Sequence, residues 1–116
     1  MSTDDLTIKD FRGYQQASLP NIDESLSRVG PETSCGEYLR RYWHPISLTS
    51  DVSETPKEIR ILGEDLVIFK TTKNNIGLVH KNCPHRRASL VYGKTEEKGI
   101  RCCYHGWLFS PDGEIL

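Results

Sequence analysis

Residues 83–87 read Cys-Pro-His-Arg-Arg and residues 102–107 read Cys-Cys-Tyr-His-Gly-Trp, and on these two boxes the reading of the whole chain turns. Each box offers one cysteine and one histidine at short range: Cys83-x-His85, then sixteen intervening residues, then Cys102-x-x-His105. Two soft thiolates and two imidazoles suit zinc or an iron-sulfur cluster, so donor type alone does not decide. Spacing separates the two. Zinc knuckles usually draw two ligands of one kind from each knuckle, as C-x-x-C or H-x3-5-H. A binuclear centre gives the mixed pattern a reason, because two opposed loops can each send a cysteine to one iron and a histidine to the other.

Outward from the boxes the text has the period of strands. Residues 46–49, 58–62, 66–71 and 76–80 are rich in Ile, Leu, Val and Thr, with turn text at Gly63-Glu64-Asp65 and Asn74-Asn75. An antiparallel meander is predicted. Beyond it, a smaller unit holds box one, a short strand at 100–102, box two, Trp107-Leu108-Phe109, the turn Pro111-Asp112-Gly113 and Glu114-Ile115-Leu116. That last hairpin is expected to be truncated, since strands usually run about five or six residues. Upstream, Ser34 offers a cap to a short helix that puts Tyr38, Leu39, Tyr42 and Trp43 on one face and ends at His44-Pro45. Residues 1–34 read as a polar arm with one or two helical turns, scattered apolar positions such as Leu6, Phe11 and Leu26, and breakers at Gly13, Pro20, Gly30 and Pro31.

Bulk properties narrow the function. A chain of 116 residues is one ordinary domain with a modest core, of the kind that gains from a metal staple. Fifteen basic against sixteen acidic residues leave a formal charge of -1, so no field draws nucleic acid or an anionic membrane surface. The longest aliphatic and aromatic run, Leu66-Val67-Ile68-Phe69, is far short of the roughly 20 residues that span a bilayer. The amino terminus, Met-Ser-Thr-Asp-Asp, lacks the basic and apolar text of a secretory signal. A cytoplasmic location is the expectation, and four cysteines in a reducing compartment point to metal or redox chemistry before disulfides.

With this spacing the chain resembles the Rieske proteins, and Cys102-Cys103-Tyr104-His105-Gly106-Trp107 is similar to the second cluster box of ring-hydroxylating oxygenases. The stretches Arg28-Val29-Gly30-Pro31, residues 36–45 and residues 62–69 resemble the lead-in of phthalate dioxygenase-type terminal oxygenases, so the likeness runs from 28 to 116. It implies a mainly β fold: an antiparallel β-sandwich over about 35–116, a cluster-binding subdomain at about 82–110, and a short helical arm at 1–34. It also implies a [2Fe-2S] cluster with Cys83 and Cys102 on one iron and His85 and His105 on the other. Two neutral imidazoles in place of thiolates raise the potential to roughly -150 to +300 mV, against about -400 mV for the all-cysteine plant type. The implied role is electron transfer from a reductase or ferredoxin toward an oxygenase catalytic domain, in a dioxygenase or monooxygenase system. That domain's mononuclear iron needs two histidines and a carboxylate, and only His44 and His80 remain once the cluster is served. The resemblance therefore implies the amino-terminal electron-transfer portion of an oxygenase, without its catalytic half. A stand-alone Rieske ferredoxin, or a zinc-binding or metal-free structural module, is the alternative.

Around the ligands, Arg86 and Arg87 can orient a docking carboxylate or simply be solvated. Tyr104 can donate to a cluster sulfur and Trp107 can shield the centre, or both can fill core. Gly106 lets the loop backbone approach the cluster. The resembled family often has glycine where Arg87 stands, which puts that loop's geometry in question. Cys103 reads as a small buried hydrophobe, Cys35 as a structural or surface thiol, His80 as a surface histidine and His44 as a packing or capping one. Respiratory-chain Rieske proteins carry two further cysteines at the places of Ala88 and Tyr104, so that disulfide-clamped branch is not implied.

Overall fold

The computed structural model describes residues 21–116. The apolar positions expected in the arm before that point, Leu6 to Leu19, lie outside the described residues. The chain enters through one helical turn, α1 (Glu24–Ser27), capped by Asp23, whose carboxylate accepts the Ser25 N–H at 3.0 Å. Helix α2 (Ser34–Leu39) follows. Its cap is Thr33, one residue before the expected Ser34, accepting the Gly36 N–H at 3.1 Å.

This helix ends at Leu39, well before His44-Pro45, and its aromatic face points to solvent. Gly36 and Arg40 lie one turn apart and form the docking side. The Arg40 guanidinium donates to the carbonyls of Leu62 at 2.9 Å, Gly30 at 3.3 Å and Val29 at 3.4 Å, and pairs with Glu64 at 3.3 Å. Those bonds fasten α2 to the arm and to the first hairpin turn by a polar face. Tyr38 and Tyr42 are left exposed against each other at 5.3 Å, and Trp43 is fully exposed. His44 Nε2 donates to the Leu39 carbonyl at 2.7 Å, the capping role expected of it.

Strands β1 (Lys57–Ile61), β2 (Glu64–Lys70) and β3 (Ile76–His80) form the expected antiparallel meander, in that order. The first turn is tighter than the text suggests. Ile61 pairs with Glu64, leaving only Leu62 (φ 50°) and Gly63 (φ 74°) between strands, the two-residue geometry that matches strand twist. No strand forms at 46–49: Ile46 and Leu48 are exposed there, and a 3-10 turn takes Thr49–Asp51. Alternating apolar residues without a partner strand to bury them do not make a strand. A second sheet is built from β4 (Lys94–Thr95), β5 (Ile100–Arg101) and β6 (Leu108–Phe109). The returning segment after Asp112-Gly113 makes a single bridge, Phe109 to Ile115, with Leu116 N–H on the Leu108 carbonyl at 2.9 Å.

The core lies between the sheets. Val67, Phe69 and Val79 from the first sheet meet Leu90, Ile100 and Phe109, and the same cluster contains Cys83 and Cys102. Phe69 faces Gly77 across β2–β3, and a Cβ on Gly77 would sit 2.3 Å from the Phe69 ring. The ring therefore occupies the space a side chain would take. Phe69→Ala is expected to destabilise the domain by about 3–5 kcal/mol, read as a lower urea midpoint. Trp43→Ala, at a fully exposed site, is expected to cost under about 0.5 kcal/mol in the same experiment.

Candidate metal centre

The two boxes are two copies of one backbone turn. In the first, the Arg87 N–H donates to the Cys83 carbonyl at 2.8 Å and the Cys83 N–H to the Ala88 carbonyl at 2.8 Å. In the second, the Gly106 N–H donates to the Cys102 carbonyl at 3.1 Å and the Cys102 N–H to the Trp107 carbonyl at 2.7 Å. Cysteine opens each turn and the fifth residue closes it in the left-handed region, Arg87 at φ 63° and Gly106 at φ 78°. Arg87 therefore takes the backbone of the glycine it replaces in the resembled pattern, at a cost of roughly 1–2 kcal/mol for a residue with a Cβ. The histidines break the match by one place, the third residue in the first turn and the fourth in the second.

This geometry separates the donors. Cys83 and Cys102 are 1% and 4% exposed and belong to the hydrophobic core, while His85 and His105 stand exposed above them. The imidazole centroids are 4.8 Å apart with their planes at 71°. Between the loops lies a narrow notch bounded by all four donors together with Arg86, Ala88, Tyr104 and Trp107. Trp107 stacks on His85 at 4.6 Å and 12°, and the Tyr104 ring lies 3.9 Å from that of His105. Both aromatics brace a histidine from the side, and Tyr104 is itself exposed. Neither is wholly a core filler.

The doublet separates as well. Cys102 bounds the notch, whereas Cys103 occupies the place of Pro84 in the first turn and is exposed, not the small buried hydrophobe expected. A turn carries it outward, where continued strand would have carried it into the opposite face. All four cysteines are free thiols, Cys35 half-buried and away from the boxes. His80 is exposed at the end of β3. Among the described residues, no three His, Cys, Asp or Glu side chains gather around a single ion.

Two polar residues at the loops escape motif reading. Asn82 and Arg101 each precede a box cysteine, and each side chain bonds its own loop. Arg101 is the stronger case: its guanidinium grips Glu96 at 2.7 and 2.9 Å and reaches the Gly106 carbonyl at 2.7 Å. The hydrogen bond from Arg101 holds the Glu96 carboxyl below the usual carboxylate range, and the Arg101 pKa is raised in turn. The only sequence signal is position, a polar residue directly before each cysteine.

Residues 42–116 match the family described as Rieske [2Fe-2S] domain. The chain is 55% identical over 94 residues to the phenoxybenzoate dioxygenase subunit alpha of Ectopseudomonas oleovorans, covering 81% of this chain and 23% of that protein. It is 45% identical over 100 residues to the phthalate 4,5-dioxygenase oxygenase subunit of Pseudomonas putida, covering 84% and 23%. The chain thus spans about a quarter of the length of these relatives. Among solved structures, dicamba monooxygenase bound to dicamba superposes with a TM-score of 0.61 at 28% identity, over 66% of this chain and 24% of that one. A reduced complex between oxygenase and ferredoxin in carbazole 1,9a-dioxygenase superposes with a TM-score of 0.50 at 26% identity, over 60% and 18%.

Arg87→Gly is expected to stabilise the domain by up to about 1 kcal/mol in urea unfolding, by relieving the left-handed backbone. Gly106→Ala is expected to cost about 1 kcal/mol although its Cβ would meet nothing within 4 Å, because the penalty is in φ alone. The Glu96–Arg101 pair gives a pH dependence of known sign. A carboxyl whose pKa is depressed by folding contributes fully above its unfolded value, about 4.3, and loses that contribution as pH falls through the folded value. Urea unfolding at stepped pH should show this loss below about pH 4.3, and Glu96→Gln should remove it.

Proposed function

The chain belongs to the Rieske [2Fe-2S] domain family, and we propose that it carries electrons from a reductase or ferredoxin toward the mononuclear iron site of an aromatic ring-hydroxylating oxygenase. The domain binds a [2Fe-2S] cluster. For its ligands we propose Cys83, His85, Cys102 and His105, within a domain at 35–116 whose cluster-binding subdomain covers about 82–110 and whose arm is 1–34. The observation that carries the reading is the paired turn: two buried thiols below, two exposed imidazoles above, one of each on either side of a single notch. The donor set fits the group, since one iron takes two thiolates and the other two imidazoles.

When bound, the cluster supplies a one-electron centre whose potential the imidazoles raise. The chain's own residues do the rest. Core packing around Cys83 and Cys102 keeps water from the thiolate side. With the cluster bound, His85 and His105 would each hold a proton on the ring nitrogen turned away from the metal. Their exposure makes them the exit for the electron. Trp107 fixes the His85 ring by stacking, Tyr104 fixes that of His105, Gly106 closes the second turn, and Arg86 offers a cation at the rim to an acidic partner surface.

A donor partner is supported by the oxygenase–ferredoxin complex named above, and an oxygenase partner by the two dioxygenase subunits named there. No helix among the described residues is long and apolar enough to cross a membrane. We place the protein in the cytoplasm, with no nucleic-acid or membrane partner, consistent with its near-zero net charge.

The ligand assignment is tested by two serines. Cys102→Ser should abolish the visible absorption and the EPR signal of the dithionite-reduced protein, and Cys103→Ser should keep both. The reverse outcome moves the second box by one residue. A colourless, EPR-silent unsubstituted protein containing zinc would sink the redox reading.

A further inference from the structure

The residue directly before each box cysteine has a matched task in the structure. Asn82 precedes Cys83, and its Nδ2 donates to the carbonyl of Arg87 at 3.0 Å. Arg101 precedes Cys102, and its Nη1 donates to the carbonyl of Gly106 at 2.7 Å. Arg87 and Gly106 are the two left-handed residues that close the loops. One device thus occurs twice, built from a neutral amide in one loop and a guanidinium braced on Glu96 in the other.

A trans peptide sends its carbonyl and its N–H in opposite directions. Tethering the carbonyl of residue 87 or 106 on the flank therefore sets the direction of the next N–H, that of Ala88 or Trp107. Both residues bound the notch, and neither N–H has an acceptor among the described residues. We propose that Asn82 and Arg101 are positioning residues that hold these two peptides so that the Ala88 and Trp107 N–H groups face the cluster. An N–H aimed at a cluster sulfur favours the more negative, reduced state, because hydrogen bonds to the sulfurs help set the potential. The inference rests on the two boxes being the cluster site. It adds the side chains that orient their backbone, none of which touches the metal.

The test uses the cluster-loaded protein and two readouts, the midpoint potential and the rate of cluster loss to a chelator. Asn82→Ala and Arg101→Leu should each lower the potential and speed cluster loss by about tenfold. Arg101→Lys, which keeps a cationic donor, should return most of both, and Glu96→Gln, which loosens the brace, should shift both in the same direction by less. A potential unchanged in both Asn82→Ala and Arg101→Leu overturns the positioning role even if the melting temperature falls, because a purely structural brace would do that. Should Arg101→Leu not accumulate, Asn82→Ala and Glu96→Gln decide by the same potential. An unsubstituted protein without a cluster signal overturns the site assignment and this inference together, whereas an intact signal with an unshifted potential overturns this inference alone.

Discussion

Each box cysteine is closed by its own loop on both sides of its peptide, its carbonyl bonded to the residue four places on and its N–H to the carbonyl five places on. The other features of the site follow from that closure. Each cysteine's own N–H and carbonyl are thereby satisfied, so it can sink into the apolar core without carrying an orphan backbone group with it. The residues between, Pro84 to Arg86 and Cys103 to His105, are then forced outward as a turn. Thiols below and imidazoles above are the result of one local hydrogen-bond pattern used twice.

The closure also explains why the core and the site cannot be separated. Cys83 and Cys102 pack in the same cluster as Phe69, Leu90, Ile100 and Phe109, so the meander that builds the first sheet also builds the floor of the notch. The arm and α2 are attached from the far side through Arg40, whose bonds run to Val29, Gly30 and Leu62. That attachment is polar and peripheral. It holds the preface against the first hairpin turn without contributing to the floor.

How much of this was legible in the text depended on whether the deciding partner was near in sequence. Strand β3 at 76–80 was read with its bounds because the Asn74-Asn75 turn and the alternation that follows are local. The four candidate donors that bound the notch are legible because their spacing is itself the signal. Residues 46–49 carried the same alternation as a strand and formed none, since nothing pairs with them. The text puts Trp43 and the two tyrosines on one helical face but not which side docks, because the deciding contact, Arg40 on Leu62, is 22 residues away. Cys103 is exposed because a turn, not further strand, begins after Cys102. The Asn82 and Arg101 bonds had no motif to announce them, because an amide and a guanidinium perform the same task.

Arg87 stands where its backbone favours glycine, and its side chain is exposed at the surface of the first loop. The chain thus keeps a surface cation on the first loop at the expense of conformational ease. Stability and surface charge are in opposition at this one position. A library selected only for thermal robustness would drift to glycine there and lose the charge unnoticed, so a stabilised version of the domain should be screened for partner recognition and not for melting alone.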